Sequence, residues 1–234
     1  MALCLADLHS NVTALQRVDA LLGGLARELS VVLLAGDVTI PGHDAYAKDV
    51  IAVVRRHNVP LLLVHGNNDT VAAVEEFRRA GVTIHRQERE VAGVRFVGFG
   101  GDGTAPHDTE LATGESLSLD LEGAILLTHL PPPGVRYASQ DREAPPRKPG
   151  VATGNPPGDD QEISIAPSTG PTIPSPRAHI CGHIHHSEGI AWIGPTKIVK
   201  LRAAMWNRCA LLDLDTLMAT FRDLAPDAPR SSRH

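Results

Sequence analysis

The residues best suited to chemistry in this sequence are aspartates, asparagines and histidines that directly follow short apolar segments. They form five motifs, which are Asp7-x-His9, Gly36-Asp37, Gly66-Asn67-x-Asp69, Thr128-His129 and Gly182-His183-x-His185. Carboxylate, amide oxygen and imidazole ligands together suit divalent ions such as Mn, Fe, Zn, Ni or Co. Cysteine is absent from the motifs, which argues against a structural zinc knuckle. The pattern therefore indicates a metal centre assembled from residues that are far apart in the chain.

The apolar segments that precede these motifs predict the strands that must position them. In the first half of the chain we expect strands at residues 2–6, 31–35 and 61–64, and helices after Asn11, at 44–57 and at 70–80. Continuous apolar strands joined by helices indicate a parallel sheet. Because ligands bind beyond the carboxyl ends of the strands in such a sheet, the motifs are expected to converge on one crevice. Glycines before Asp37, Asn67 and His183 would let the backbone approach that crevice closely.

The second half of the chain has shorter strands and turn-like links. Strands are predicted at residues 82–84, 88–91, 94–99, 124–128, 178–182, 190–192, 196–199 and 209–214. The dipeptide Ala92-Gly93 separates two of them as a hairpin turn would. We therefore expect a second, partly antiparallel sheet packed against the first, with helices on the outside.

The length of 234 residues fits one large domain, which we place at residues 1–222. Residues 131–176 carry twelve of the eighteen prolines, so this stretch is expected to be an insertion or a lid loop without regular structure. Residues 223–234 are polar and are expected to form a frayed tail.

Composition and charge exclude several kinds of partner. The formal net charge is −5, and there are only four Phe, two Trp and two Tyr, which argues against a nucleic-acid-binding surface. The apolar runs are too short to span a bilayer, and no signal peptide is recognised. The three cysteines lie in apolar runs and are expected to be buried thiols in a reducing compartment. The expected location is therefore the cytoplasm, and the oligomeric state is left open.

The five motifs, in this order and at this spacing, resemble those of the calcineurin-like metallophosphoesterases. The segments 128–134 and 181–185 are most similar to a small prokaryotic branch related to cyclic-nucleotide phosphodiesterases. The resemblance implies an α/β fold, a four-layer α-β-β-α sandwich of two mixed sheets flanked by helices, with two divalent ions. By position, it implies one ion held by Asp7, His9, Asp37 and His185, and a second held by Asp37, Asn67, His129 and His183.

The resemblance implies a phosphoesterase in which the two ions lie about 3.5–4 Å apart and share a hydroxide that attacks phosphorus in line. The substrate would be a small phosphate ester such as a nucleotide, and manganese is the metal that we expect first. Asp69 would orient an imidazole ligand.

Asn68 stands where most relatives have a histidine that contacts the phosphate or assists the leaving group. An asparagine cannot deliver a proton near pH 7, and losing a general acid costs on the order of 10²–10⁴-fold for a poor leaving group. His107 or His43 could supply the missing proton. With the metal motifs complete, the change favours phosphodiesters over monoesters.

A second departure is Val199-Lys200-Leu201-Arg202, where relatives of this branch often have Asn-Pro-Gly. We expect a changed turn there, with little consequence for metal binding.

Two other functions compete with a phosphodiesterase. A binding scaffold of the same fold, like the retromer subunit, usually loses metal ligands, whereas this chain keeps all seven. A Ser/Thr phosphoprotein phosphatase shares the motifs but usually has a histidine in place of Asn68 and is more elaborate.

Overall fold

The computed structural model of the chain describes residues 1–101, 119–132 and 175–225. In chain order the elements of these ranges are β1 (Ala2–Leu5), α1 (Val12–Leu25), β2 (Val31–Ala35), α2 (Tyr46–Arg56), β3 (Leu61–Val64), α3 (Val71–Arg79), β4 (Gln87–Val91), β5 (Val94–Phe99), β6 (Ile125–Thr128), β7 (Ala178–Cys181), β8 (Gly189–Ile193), β9 (Thr196–Lys200), a 3₁₀ turn (Ala204–Trp206), β10 (Arg208–Leu212) and β11 (Ala219–Asp223).

The first sheet has the strand order β11-β10-β1-β2-β3. The parallel arrangement predicted for the first three strands is confirmed. β10, which the sequence pattern groups with the later strands, instead pairs antiparallel with β1 in this first sheet. β11 was not predicted, because its alternating, half-exposed residues lack the apolar run by which the other strands were found. It extends the sheet by pairing antiparallel with β10.

The second sheet has the order β4-β5-β6-β7-β9-β8 and is mixed, as predicted. β5, β6, β7 and β9 are parallel, whereas β4 and β8 run antiparallel at the two edges. Ala92 and Gly93 form the expected hairpin turn, with φ of 52° and 74°. The strand predicted at residues 82–84 is reduced to one isolated bridge between Thr83 and Leu63.

Two apolar layers hold these elements together. Alternate residues of the first sheet face α1, α2 and α3 in one core, and the intervening residues face the second sheet in another. This confirms the predicted α/β architecture of two packed mixed sheets with helices outside. All three α-helices of the described ranges pack on the first sheet. The outer face of the second sheet carries a smaller cluster that includes Val97, Phe99 and Leu121.

Two of the helices, α1 and α3, begin shortly after a site motif. The side chain of Asn11 accepts a hydrogen bond from the backbone N–H of Ala14, which caps α1 as expected. Thr70 caps α3 through the N–H of Ala73, directly after Asp69. The caps therefore connect two of the motif loops to helices that pack on the first sheet.

The residues that follow β11 contact the rest of the fold. Leu224 is buried, and Asn207 exchanges side-chain hydrogen bonds with the backbone of Ala225. Residues 224 and 225 are thus in contact with the rest of the fold. Most of the predicted insertion at 131–176 lies outside the described residues. None of the helices in the described ranges has the length and apolar character needed to cross a bilayer.

Candidate metal centre

The loops that carry the five motifs lie at one edge of the two packed sheets. Each loop follows the carboxyl end of a parallel strand, namely β1, β2, β3, β6 or β7. Backbone hydrogen bonds join neighbouring loops, from Asp7 N to Gly36 O (3.0 Å), from His9 N to Asp37 O (3.0 Å) and from Gly182 N to His129 O (2.9 Å). The convergence predicted from the strand ends is therefore present.

The first ligand cluster contains Asp7, His9, Asp37 and His185, whose ligand atoms all lie within 4.8 Å of one another. The Nε2 atoms of His9 and His185 are 3.0 Å apart. Asp7 Oδ1 lies 3.4 Å from His185 Nε2, and Asp37 Oδ2 lies 3.5 Å from His9 Nε2. These four residues are the set that the sequence resemblance implies for one ion.

The second ligand cluster contains Asp37, Asn67, His129 and His183. His129 Nε2 lies 3.0 Å from Asn67 Oδ1, 3.2 Å from His183 Nδ1 and 3.4 Å from Asp37 Oδ2. The Asp37 carboxylate therefore stands between the two clusters, where a bridging ligand is needed. All seven residues singled out as ligands lie in one cluster or the other.

The donor groups of these clusters fit divalent cations. Asp7 Oδ1 is buried and has no hydrogen-bond donor, although two imidazole nitrogens face it. Burial raises the pKa of Asp7 to about 6, because the charges of His129 and Lys200 only partly offset the cost of burying the carboxylate. Oxygen and nitrogen ligands that converge in this way suit the borderline metals named above.

The electrostatics of Asp37 differ from those of Asp7. Burial works against ionisation of Asp37, but hydrogen bonding and the charge of His129, together with two hydrogen bonds from Asn68, outweigh it and lower the pKa to about 2. Asp37 is therefore ionised at neutral pH before any cation binds.

The backbone is strained at several ligands. Asp7, His9, Asp37 and His183 have φ of 56°, 46°, 51° and 72°, in the left-handed region that non-glycine residues seldom adopt. Each such residue costs roughly 1–3 kcal/mol and tends to occur at functional sites. The sequence patterns did not predict this strain.

Two glycines let the ligands approach each other closely. A Cβ atom at Gly66 would lie 2.2 Å from Asp37 Oδ1 and 2.4 Å from Asp37 N, and one at Gly36 would lie 2.5 Å from His129 Nδ1. At Gly36 and Gly66 the backbone thus approaches ligand side chains as closely as we expect for the motif glycines.

Asn68 contacts Asp37 through two hydrogen bonds. Its backbone N–H donates to Asp37 Oδ1 (2.8 Å), and its side-chain amide donates to Asp37 Oδ2 (2.7 Å). In this structure Asn68 thus orients the carboxylate that the two clusters share. His43 is exposed, and His107 lies outside the described residues.

Asp69 connects two of the motif loops. Its carboxylate accepts hydrogen bonds from the backbone N–H groups of Val38, Thr39 and Gly66 and from the Thr39 hydroxyl. It joins the loop after β2 to the loop after β3, because the backbone donors of both loops point at it.

His129 is oriented by a backbone carbonyl. Its Nδ1 lies 2.9 Å from Ala35 O, and since a carbonyl only accepts, this nitrogen carries the proton. Nε2 is then left to face the second ligand cluster.

His179, in β7, supports the loop that carries His129. Its Nε2 and the carbonyl of Leu130 each lie 2.6 Å from the Thr128 hydroxyl. The hydroxyl must donate to the carbonyl, so His179 donates to the hydroxyl. Burial lowers the pKa of His179 to about 4, which keeps the ring neutral.

Residues 203–205, after β9, also support the site. They follow the segment 199–202, where we expect a changed turn, and their backbone N–H groups bind two motif loops. Ala203 N donates to His185 O (3.2 Å), Ala204 N to Ala6 O (2.8 Å) and Met205 N to Asp7 O (3.1 Å). No local motif identified these contacts, because they depend on how β9 and β10 are placed in different sheets.

Comparisons with known proteins agree with this geometry. Residues 2–187 match the family model described as calcineurin-like phosphoesterase. An uncharacterized protein, MJ1162 of Methanocaldococcus jannaschii, is 24% identical over 182 residues, which are 72% of this chain and 75% of that protein.

Two solved structures have a similar fold. TT1561 of Thermus thermophilus has a TM-score of 0.65 and 12% identity, with 96% of this chain and 98% of that chain covered. A dimetal phosphatase from Danio rerio has a TM-score of 0.50 and 11% identity, with the same coverage.

We expect Gly66→Ala to disrupt the site, because the added Cβ has no space beside Asp37. Overpacking of this kind costs about 1–3 kcal/mol, and the displaced carboxylate should bind cations poorly. Thermal unfolding with and without Mn²⁺ would measure both effects, with the metal-induced rise in Tm largely lost. Gly24→Ala is the matched control, because Gly24 is at an exposed position of α1 and a Cβ there meets nothing within 4 Å. Equal behaviour of the two variants would contradict the steric argument.

We expect His179 to make the fold acid-sensitive. Its pKa is about 4 in the folded protein and 6.5 when unshifted, so protons bind the unfolded chain preferentially. The contribution of neutral His179 to the free energy of unfolding is therefore fully present above pH 6.5. It declines by about 3 kcal/mol as the pH falls towards 4. Urea unfolding of wild type and His179→Gln, which keeps a donor for Thr128, would isolate this contribution. Parallel stability curves for the two proteins would refute it.

Proposed function

The chain belongs to the calcineurin-like phosphoesterase family, and we propose that it is a phosphodiesterase that requires two divalent metal ions. The observation that carries this proposal is the pair of ligand clusters sharing the Asp37 carboxylate. A buried site with this donor set would be costly to maintain if it bound nothing.

In the proposed site the first ligand cluster holds one ion and the second ligand cluster holds the other. When bound, the ions would activate a water molecule for attack on phosphorus and neutralise the charge of the phosphoryl oxygens. The mixed oxygen and nitrogen donors are compatible with Mn²⁺, which we propose as the first metal to test.

The chain's own residues would keep the ligands in place during the reaction. Asn68 holds both oxygens of Asp37, and Ala35 holds the His129 ring by its Nδ1–H. Asp69 ties together the loops that carry Asp37 and Asn67. Such supporting contacts typically contribute 10–100-fold to metal affinity or activity.

The preference for diesters is argued from Asn68. A neutral amide provides neither a proton nor a positive charge to the phosphate. A monoester carries about −1.5 to −2 charge near pH 7, whereas a diester carries a single negative charge. The absence of a cationic group therefore weakens the electrostatic stabilisation of a monoester more than that of a diester. A diester with a good leaving group is also less dependent on a general acid.

We infer the class of substrate from sequence similarity and the cellular location from the cysteines. The similarity of segments 128–134 and 181–185 to the cyclic-nucleotide branch supports a small nucleotide as the substrate. All three cysteines are in the described ranges, where they are buried and form no disulfide. This supports a reducing compartment, and we propose the cytoplasm.

We expect the Mn²⁺-loaded protein to hydrolyse bis(p-nitrophenyl) phosphate. Asp37→Asn and His129→Ala should each lower kcat/KM on the order of 10²-fold or more, because the first replaces the shared carboxylate by a neutral amide and the second removes an imidazole ligand. His57→Ala is the control, since His57 binds Asp19 at the end of α2. A metal-loaded wild type as inactive as these two variants would favour a binding scaffold.

We expect Asn68→His to change the substrate preference. The imidazole would restore a proton donor, and the ratio of monoester to diester kcat/KM should rise roughly tenfold or more. Asn68→Gln keeps an amide and should leave the ratio near that of wild type. The ratio is measured with p-nitrophenyl phosphate and its bis ester, and no change in Asn68→His would reject the assigned role of Asn68.

A further inference from the structure

Lys200, the last residue of β9, is a lysine in the interior of the protein. Its side chain has no solvent exposure. Transfer of an ammonium group out of water costs several kcal/mol unless the protein satisfies it. A lysine at such a place therefore requires a compensating set of partners.

Three backbone carbonyls provide that compensation. Lys200 Nζ donates to Ile184 O (2.7 Å), Ser187 O (3.1 Å) and Leu201 O (2.5 Å), which uses all three ammonium hydrogens. Within the described ranges no carboxylate forms a salt bridge with this nitrogen. The group thus occupies a cage of carbonyl oxygens, as a bound cation would.

Two of these carbonyls belong to the loop that carries His183 and His185. Ile184 lies between the two histidines in the chain, and its own side chain is 40% exposed. Apolar packing of that side chain therefore contributes little to the loop conformation. The buried ammonium therefore links this loop to the end of β9 by hydrogen bonds.

We propose that Lys200 is a positioning residue for the metal centre, which holds residues 183–187 so that His183 faces His129 and His185 faces His9. The proposal rests on the metal-dependent function argued above. It assigns to Lys200 a contribution to cation affinity that a residue merely filling the interior would not make.

Trp206 provides a direct readout of this loop. Its ring centroid lies 5.9 Å from that of His185, and the only other tryptophan is Trp192. In a full-length Trp192→Phe background, fluorescence therefore reports on Trp206 alone. Binding of Co²⁺ beside His185 should quench that fluorescence, and a titration gives the apparent Kd without an activity measurement.

Lys200→Met tests the proposal because methionine has similar length but lacks the donors and the charge. We expect the apparent Kd for Co²⁺ to rise on the order of 10–100-fold, as for other residues that orient metal ligands. Lys197→Met is the matched control, because Lys197 lies on the same strand and donates to Leu217 O. Its Kd should remain within about twofold of the background protein.

The outcomes separate the two proposals. Tight quenching in the background protein with an unchanged Kd in Lys200→Met would overturn only the positioning role. Equal weakening in Lys200→Met and Lys197→Met would also overturn it. Absence of Co²⁺ binding in the background protein would overturn the proposed function itself, and with it the role of Lys200.

A measurement on the wild type applies if Lys200→Met does not fold. The sequence has four lysines, and among the three in the described ranges only Lys200 has a buried ammonium with three hydrogen bonds, which should give a slowly exchanging ¹⁵Nζ resonance. Persistence of this resonance in Lys197→Met shows that it does not arise from Lys197 and supports its assignment to Lys200. We expect this resonance to shift when Zn²⁺ is added, and an unchanged resonance at saturating Zn²⁺ would overturn the proposal.

Discussion

The arrangement of the site depends on one buried carboxylate, that of Asp37. Its two oxygens accept two hydrogen bonds from Asn68, and Oδ2 also lies within 3.5 Å of the Nε2 atoms of His9 and His129. A carboxylate can be buried in ionised form only if donors and positive charge surround it. The loops after β1, β2, β3 and β6 must therefore approach this one group, and the separation of the two ligand clusters follows from it.

Packing in the rest of the fold offsets the free-energy cost of bringing these loops together. Four ligands have left-handed backbone conformations, and glycines are needed where the loops touch the ligands. Together the strained residues oppose folding by several kcal/mol. The two apolar layers on either side of the first sheet provide the opposing free energy, since hydrophobic burial is the dominant favourable contribution to folding. The strain therefore persists at the sheet edge because the strands behind it are rigidly packed.

Prediction from the sequence succeeded where the signals are local. The apolar runs at β2, β3 and β5 were found with their observed limits, and the parallel order of the first three strands followed from the helices between them. The same reasoning misplaced β10 and missed β11. A strand at the end of the chain has no local signal for the sheet it joins, and a half-exposed edge strand lacks an apolar run.

The sequence by itself determined the chemical types of the ligands and their position after strands, because both are properties of short segments. The tertiary structure decided that Asp69 ties two loops together, that His129 uses Nε2 and that Lys200 is buried beneath residues 183–187. Each of these depends on hydrogen bonds between groups from different loops or strands. Such partners meet only after the two sheets pack, because hydrophobic periodicity specifies which face of a strand is buried but not which polar group will lie opposite it.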